Sequence, residues 1–453
     1  MLTYDYIQID KKNGQPLYQQ LYEQLRTAAQ RGSLRPGQKL PSIRRLSEDL
    51  GLSRTTIESA YQQLCVEGYI EARPQRGYFV LTGGGRRGAR PAAVTCPPRH
   101  LPRYNFGTDS VDSSCADMKI WRRHIREVLN RPQALVSYGE PQGELPLREA
   151  LCAYSYGARG VVCSPEQVVI GAGSQPLLYL LCGLLQGSVG AVALEEPGFP
   201  QAEQVFADCG MDVVHLPGDK SGMEPEALRQ SGAKIAYVSP SSRQGCGNPI
   251  PLLRRQELLQ WAAQRGGLLI EDDYNGELRY RARPIPSMQG MAADGRVIYF
   301  GSFSKLLLPS VRVGYMVLPP RLLPLYLARA SHYNQTASKV EQLALADYVK
   351  SGQLERQLRR LRKVYAQKSS QLLRCLHQAF GARAQLHLQE TPLCVTLHLQ
   401  DAPSPARLAE LAAAHDVRVC PGPENQVTLG FAGIPLEQIA PGVLALRNAW
   451  KIV

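Results

Sequence analysis

The sequence predicts a multidomain chain: a small α+β head, a tether, and a larger α/β body. Three observations carry this. Helix signals and then two short β runs fill residues 1–81; a stretch dominated by Gly, Pro and Arg covers 82–104; strand and helix signals alternate over 105–453. At 453 residues the chain exceeds one ordinary domain and can bury more than one core.

In the head, Leu17, Leu21, Tyr22 and Leu25 recur at helical spacing between Pro16 and Gln30. Leu34-Arg-Pro-Gly37 reads as a turn, and Ser42 to Leu50 as a second helix stopped by Gly51. Ser53 is placed to cap a third helix, with Ile57, Tyr61 and Leu64 on its apolar stripe and Thr55, Ser59 and Gln62 on the opposite side. Gly68 ends it. Tyr69–Arg73 and Gly77–Val80 then read as strands around Pro74-Gln75-Arg76. Two helices with a tight glycine-containing break, followed by a hairpin, make a winged helix-turn-helix. Its third helix begins with Ser53, Arg54, Thr55 and Thr56, hydrogen-bonding groups and a cation where a major groove would meet them. Arg44 and Arg45 are placed to take phosphates, and Arg76 sits at the wing tip. A three-helix protein-interaction module is the alternative.

Charge favours the nucleic-acid reading. The chain carries 52 Lys and Arg against 39 Asp and Glu, a net +13. Residues 1–102 hold 15 basic against 8 acidic groups, hence +7, over half the excess in under a quarter of the length. The 11 cysteines include no CxxC pair, so a zinc site and a disulfide framework are both unsupported and a reducing cytoplasm is expected. The N-terminus does not read as a signal peptide. The most apolar window, Leu177–Leu194, is broken by Gln186, Gly187, Ser188 and Gly190 and predicts a helix and a strand, not a membrane span. The tether, with Arg86, Arg87 and Arg90, has too few large apolar residues to pack a core.

The body carries the chemistry. Val297–Phe300 reads as a buried strand running into a polar loop with Ser302, Ser304 and Lys305, and Arg312 follows seven residues on. A lysine ringed by serines with an arginine nearby suits a phosphate-bearing aldehyde cofactor: the amine forms a Schiff base while hydroxyls and guanidinium hold the phosphate. Upstream, Leu268-Leu-Ile270 ends in Glu271-Asp-Asp-Tyr274, and acids at the carboxyl end of a strand sit where open α/β sheets bind ligands. Val168-Val-Ile170 leads into Gly171-Ala-Gly-Ser-Gln175, a turn whose Gly173, Ser174 and Gln175 can offer N–H groups to a phosphate at a helix start. Read alone, the lysine and the acids have bland alternatives: a solvated lysine on a turn, and acids capping a strand end; the glycine-rich turn alone is a weak signal.

Glu271-Asp-Asp-Tyr-Asn-Gly-Glu-Leu-Arg-Tyr280, Gly301-Ser-Phe-Ser-Lys305 through Tyr315, and Ser137-Tyr-Gly-Glu-Pro-Gln-Gly143 resemble fold-type I pyridoxal 5'-phosphate (PLP) proteins of the aspartate aminotransferase superfamily. The resemblance runs from near Asn105 to the C-terminus and implies a smaller C-terminal α+β subdomain. It makes Lys305 the Schiff-base lysine, Asp272 the pyridine-nitrogen partner and Tyr274 the partner of the phenolic oxygen. Ser302 and Arg312 take the phosphate, Phe199 stacks on the ring, and Tyr138 reaches the phosphate of the other subunit in a homodimer. Pro16-Leu-Tyr-Gln-Gln-Leu21, Leu34 through Leu46, Leu50-Gly-Leu-Ser-Arg-Thr-Thr-Ile57 and Glu67-Gly-Tyr-Ile-Glu-Ala-Arg73 resemble the GntR-type winged helix. Its DNA-contacting positions carry over as Arg44, Ser53, Arg54, Thr55, Thr56, Arg76 and Gly77; Glu58 stands where some members have a basic residue.

A GntR-type head on an aminotransferase-like body is similar to the MocR branch of the GntR regulators. The resemblance implies a transcriptional regulator that binds a double-stranded operator and answers to PLP or to an amine forming an aldimine with it. Three departures matter. The segment after Ser239 reads Ser241-Ser-Arg-Gln-Gly-Cys-Gly247 in place of the relatives' proline-glycine pattern. Thr428 stands where enzymes place a carboxylate-binding Arg, leaving Arg418 as the substitute candidate, and Gln201 stands where some regulators carry Arg. A working aminotransferase with an accessory DNA-binding domain, and a gauge of PLP itself, remain open beside the amino-acid sensor.

Overall fold

The computed structural model describes residues 4, 6–11, 14–81, 101–111, 117–187, 190–196, 198–241, 249–292, 294–389, 393–422 and 425–451. Contacts divide the chain into two compact units, Met1–Arg99 and His100–Val453, each with its own core. Arg86, Arg87, Arg90 and the 242–247 loop lie outside the described residues.

The first unit has helices Leu17–Gln30, Ile43–Leu50 and Arg54–Val66 and an antiparallel hairpin, Ile70–Arg73 with Gly77–Val80. Local chemistry sets the boundaries. Ser42 Oγ accepts from the Arg45 N–H at 3.2 Å and Ser53 Oγ from the Thr56 N–H at 3.1 Å, each satisfying a donor the helix start leaves open. Gly51, at φ 61°, ends the second helix in the left-handed conformation that costs glycine least. Ile57, Tyr61 and Leu64 are buried, joined by Ala60, while Thr55, Ser59 and Gln62 face outward. On the first helix Leu21 and Leu25 are buried, whereas Leu17 and Tyr22 only lean against the core.

The second unit is built on an eight-stranded sheet. From one edge its strands run Val168–Gly171, Gly314–Val317, Val297–Ser302, Leu268–Asp273, Ile235–Val238, Ala191–Glu196, Asp212–Asp219 and Gly222–Met223. The middle strands pair in parallel; Gly314–Val317 is antiparallel to both neighbours. The central parallel strands Ile235–Val238, Val297–Ser302 and Leu268–Asp273 are buried almost throughout and open with apolar runs, as burial on both faces requires. Ser302 pairs with Gly314, and Gly314 with Gly171, so the loops following Gly171 and Ser302 leave the sheet side by side. The window Leu177–Leu194 resolves into helix Ser174–Leu185 and strand Ala191–Glu196, and no helix among the described residues is long and apolar enough to cross a membrane.

A smaller antiparallel sheet follows, ordered Ala384–Gln389, Cys394–Leu399, Gln426–Gly430, Cys420–Pro421, with helices Gln353–Phe380, Pro405–Ala414 and Ile439–Trp450. Composition carries the tether to residue 104, but Tyr104–Asn105 pairs in parallel with Val417–Arg418 and the Tyr104 N–H donates to the Asp416 carbonyl at 3.1 Å. The second fold therefore reaches back to Tyr104. Composition does not register a two-residue strand whose partner lies some 300 positions away.

Candidate functional site

The acids closing Leu268–Asp273 divide by the two-residue period of a strand. Glu271 and Asp273 serve the fold. Glu271 accepts from the Met288 and Gln289 N–H groups, both at 2.8 Å, capping the short helix Met288–Met291. Asp273 takes a bidentate pair from Arg159, 2.5 and 3.0 Å, and a hydrogen bond from Tyr299 at 2.9 Å. Asp272, between them, lines a cavity of about 600 Å³. All three are buried. Burial raises the Asp272 carboxyl to about 6, the Asp273 charge adds to this, and a hydrogen bond from the Tyr237 hydroxyl opposes it. Burial likewise raises Glu271 to about 7. A buried carboxylate at a cavity wall, aided by one phenol, suits a cationic ring nitrogen.

Lys305 enters the same cavity, its Nζ donating to the Thr108 carbonyl at 2.6 Å. Burial lowers the pKa of its ammonium, against the pull of Cys394 and Asp109, which favours the neutral amine that condensation with an aldehyde needs. Ser302 lines the cavity and donates to Ser304 Oγ at 3.1 Å, while the Ser304 N–H turns back to Ser302 Oγ at 3.3 Å. Tyr274 and the half-buried Phe199, which starts helix Pro200–Asp208, complete the ring-sized part of the wall.

The start of helix Ser174–Leu185 borders the same cavity. Gly173 holds φ 95° there, a backbone conformation that requires glycine, and a Cβ on it would also lie 2.7 Å from Arg312 Nη2 and displace that guanidinium. The Gly173 N–H bonds back to the Gly171 carbonyl at 2.8 Å, whereas Ser174 and Gln175 stand in the first turn of the helix, whose N–H groups have no partner within the helix. Ser174 lines the cavity, and the Gln175 side chain is exposed. Arg312 donates to the Ala172 carbonyl at 3.1 Å from a left-handed backbone, φ 50°, a conformation that non-glycine residues adopt at a cost and mostly at functional sites.

Two expected residues stand apart. Tyr138 is fully exposed on its own chain. Arg418 does not line the cavity: it lies in the two-residue strand beside Asn105, with Nη2 3.0 Å from the Asp109 carboxylate. Sequence proximity to position 428 suggested it, and strand pairing turns it to Asp109 instead. Thr428 and Gln201 do line the cavity. Tyr237 and Thr108 were missed because they touch Asp272 and Lys305 across 35 and 197 positions. Only an aromatic in the buried strand Ile235–Val238 hinted at the first.

On the first unit Arg44, Arg45, Ser53, Arg54, Thr55 and Arg76 are exposed, and Thr56 partly so. Ser53 Oγ lies 2.8 Å from the Thr55 and 2.7 Å from the Thr56 hydroxyl, so the cap and the hydroxyl cluster at the helix start are one structure. Arg44 pairs with Glu48 at 3.0 Å and Arg45 with Asp49 at 3.8 Å, exposed pairs worth little and readily exchanged for phosphate. Gln75 at φ 61° and Gly77 at φ 99° form the wing turn that presents Arg76.

A winged helix-turn-helix joined to an aminotransferase-like body defines a DNA-binding transcriptional regulator, and the comparisons agree. Residues 17–80 match the bacterial regulatory proteins of the gntR family. The chain is 36% identical to the uncharacterized HTH-type transcriptional regulator YdeL of Bacillus subtilis, over 96% of this chain and 97% of the other. It is 30% identical to the probable rhizopine catabolism regulatory protein MocR of Rhizobium meliloti, over 98% and 95%. The second unit superposes on the Pyrococcus horikoshii kynurenine aminotransferase, solved in complex with PMP, with a TM-score of 0.67 and 25% identity over 77% of this chain and 90% of that one. The chain belongs to the MocR-type HTH transcriptional regulators of the gntR family.

Proposed function

We propose that PLP occupies the 600 Å³ cavity and that its state, alone or with an amine, sets how a homodimer grips its operator. The observation that carries this is the convergence of the Lys305 amine and the buried Asp272 carboxylate on one cavity beside a helix start. When bound, PLP would supply an aldehyde able to condense, with loss of water, with a primary amine such as that of Lys305 or of an effector. Asp272, supported by Tyr237, would pair with the pyridine nitrogen, with Tyr274 at the phenolic oxygen and Phe199 at the ring face. Ser302, Ser304, Arg312 and the Ser174 and Gln175 N–H groups hold the phosphate. The full exposure of Tyr138 suits a residue that completes the partner's site. Paired heads then meet paired half-sites, and an effector shifts binding only if it prefers one arrangement of them. Footprinting the chain's own upstream region with and without PLP, then with added amines, tests this; a footprint indifferent to all of them ends the proposal.

In the head, Arg54 at the recognition-helix start is the base-reading candidate and Arg44 a phosphate contact. Arg54→Ala should weaken operator binding by about tenfold to a hundredfold and relax sequence preference at one position. Arg44→Ala should weaken all sequences alike and reduce the salt slope by about one. Binding isotherms at two salt concentrations separate the two; an unaltered Arg54→Ala isotherm rules that residue out.

Cofactor affinity should depend on Asp272. Its carboxyl titrates near 6, so it is ionised above that pH and able to pair with a pyridinium. Below about 6 PLP affinity should fall by up to about tenfold per pH unit. The fold responds oppositely. A pKa raised by burial favours the ligand-free fold at low pH, and that contribution fades as pH rises from roughly 4, the unfolded value, through about 6. Equilibrium titration with PLP from pH 5 to 8 reads the binding effect, and Asp272→Asn should bind weakly and flatten the profile. An equally steep profile in that variant would assign the titration to another group.

A further inference from the structure

We infer that the effector half of the cavity is built for a primary amine that carries hydroxyl groups and no carboxylate. This rests on the PLP reading above and narrows it. Among the described residues lining the cavity, the charged side chains are Lys305, Asp272 and Asp109. The first two are committed to the cofactor. The remaining polar wall is Thr108, Gln201, Gln389, Thr396, Gln426 and Thr428, all neutral, with Asp109 at one side. Part of it is a single hydrogen-bonded ladder on adjacent strands: Gln389 Nε2 donates to Thr396 Oγ1 at 2.8 Å, and that hydroxyl lies 3.5 Å from Thr428 Oγ1, its cross-strand partner. Gln389 and Thr396 are buried.

Such a wall offers donors and acceptors in similar number, which complements hydroxyl groups that both give and take hydrogen bonds. Among the described residues of this chain it offers a carboxylate no cation beyond Lys305. Burying a carboxylate on neutral amides and hydroxyls forfeits hydration that only a paired charge restores, and Asp109 adds repulsion. The neighbouring guanidinium, that of Arg418, already pairs with Asp109 at 3.0 Å. That pair is exposed and weak by itself, so what counts here is that Arg418 does not line the cavity, and the Arg418→Gln variant tests whether it reaches in.

The test compares serinol with serine, which differ only in a hydroxymethyl group against a carboxylate, on full-length protein saturated with PLP. The absorbance band of the bound cofactor gives half-saturation, and the operator footprint is a second readout. Serinol should act at a concentration at least about tenfold below serine, and Thr428→Arg should narrow or reverse that ratio by about tenfold. Gln201→Arg is the second variant should Thr428→Arg lose its fold, which circular dichroism and the PLP band reveal. Arg418→Gln should leave serinol ahead. Equal or better action by serine, or serine action that vanishes in Arg418→Gln, overturns the inference while leaving the cofactor reading intact. No band with PLP at all ends the cofactor reading and this inference with it.

Discussion

Lys305→Ala protein should emerge colourless after PLP is added and dialysed away, and its operator footprint should no longer respond to PLP. The wild-type chain should hold a yellow band through the same dialysis. Removing Nζ takes away the group that makes retention covalent; what remains is a phosphate at a helix start, a stacked ring and the Asp272 contact. Loss of the covalent bond should weaken retention by at least about a hundredfold, roughly 3 kcal/mol. The fold should survive, because among the described residues Nζ makes one hydrogen bond, to the Thr108 carbonyl. Lys305→Arg separates charge from chemistry: it keeps a cation and cannot condense with an aldehyde, so it too should be colourless. Borohydride treatment of PLP-loaded wild type, followed by peptide mass analysis, should place the added mass on the peptide containing residue 305. Mass on another lysine, or a yellow Lys305→Ala protein, would falsify the assignment. DNA binding without PLP should be unchanged in both variants, since the head has its own core.

The legible part of this site was the part written in short segments. Ser302, Ser304, Lys305 and Arg312 lie within eleven residues, and a strand running into a polar loop declares itself through composition. The recognition helix was equally plain, because the Ser53 cap, the buried stripe and the terminating glycine are local. That Asp272 alone of three acids faces the cavity follows from the strand period once Glu271 and Asp273 are seen to be engaged on the other side. Those engagements are not local: Arg159 and Asp273 are 114 positions apart. Arg418 failed for the same reason. Nearness in sequence to the expected arginine position suggested it, and a two-residue strand with no compositional signal turned it to Asp109. Gly173 shows a finer limit: the glycine was visible, but its need lies in the backbone, φ 95°, and its N–H is spent on Gly171.

Arg159→Met should cost the second unit about 3–5 kcal/mol, the largest stability loss expected of any single substitution discussed here. The Arg159–Asp273 pair is bidentate, both side chains have no solvent exposure, and Arg159 Nη2 also reaches Ser241. Removing the guanidinium leaves the buried Asp273 carboxylate with the Tyr299 hydroxyl at 2.9 Å and without its ion-pair partner, beside two further buried acids, Glu271 and Glu277. Arg159 is also the last residue of helix Leu145–Arg159, and its carbonyl accepts from the Ser287 N–H at 2.8 Å, beside the helix that Glu271 caps. The pair thus fixes the strand end that aims Asp272. Arg159→Met should therefore weaken PLP retention as well, although Arg159 does not line the cavity. Replacing both partners, Arg159→Met with Asp273→Leu, removes the orphaned charge and should recover more than half of the lost stability. Urea unfolding of the second unit, followed by circular dichroism, measures both changes. A single variant within 1 kcal/mol of wild type, to order of magnitude, or a double variant no better than the single, would show that the pair is dispensable and that the strand end is held by packing alone.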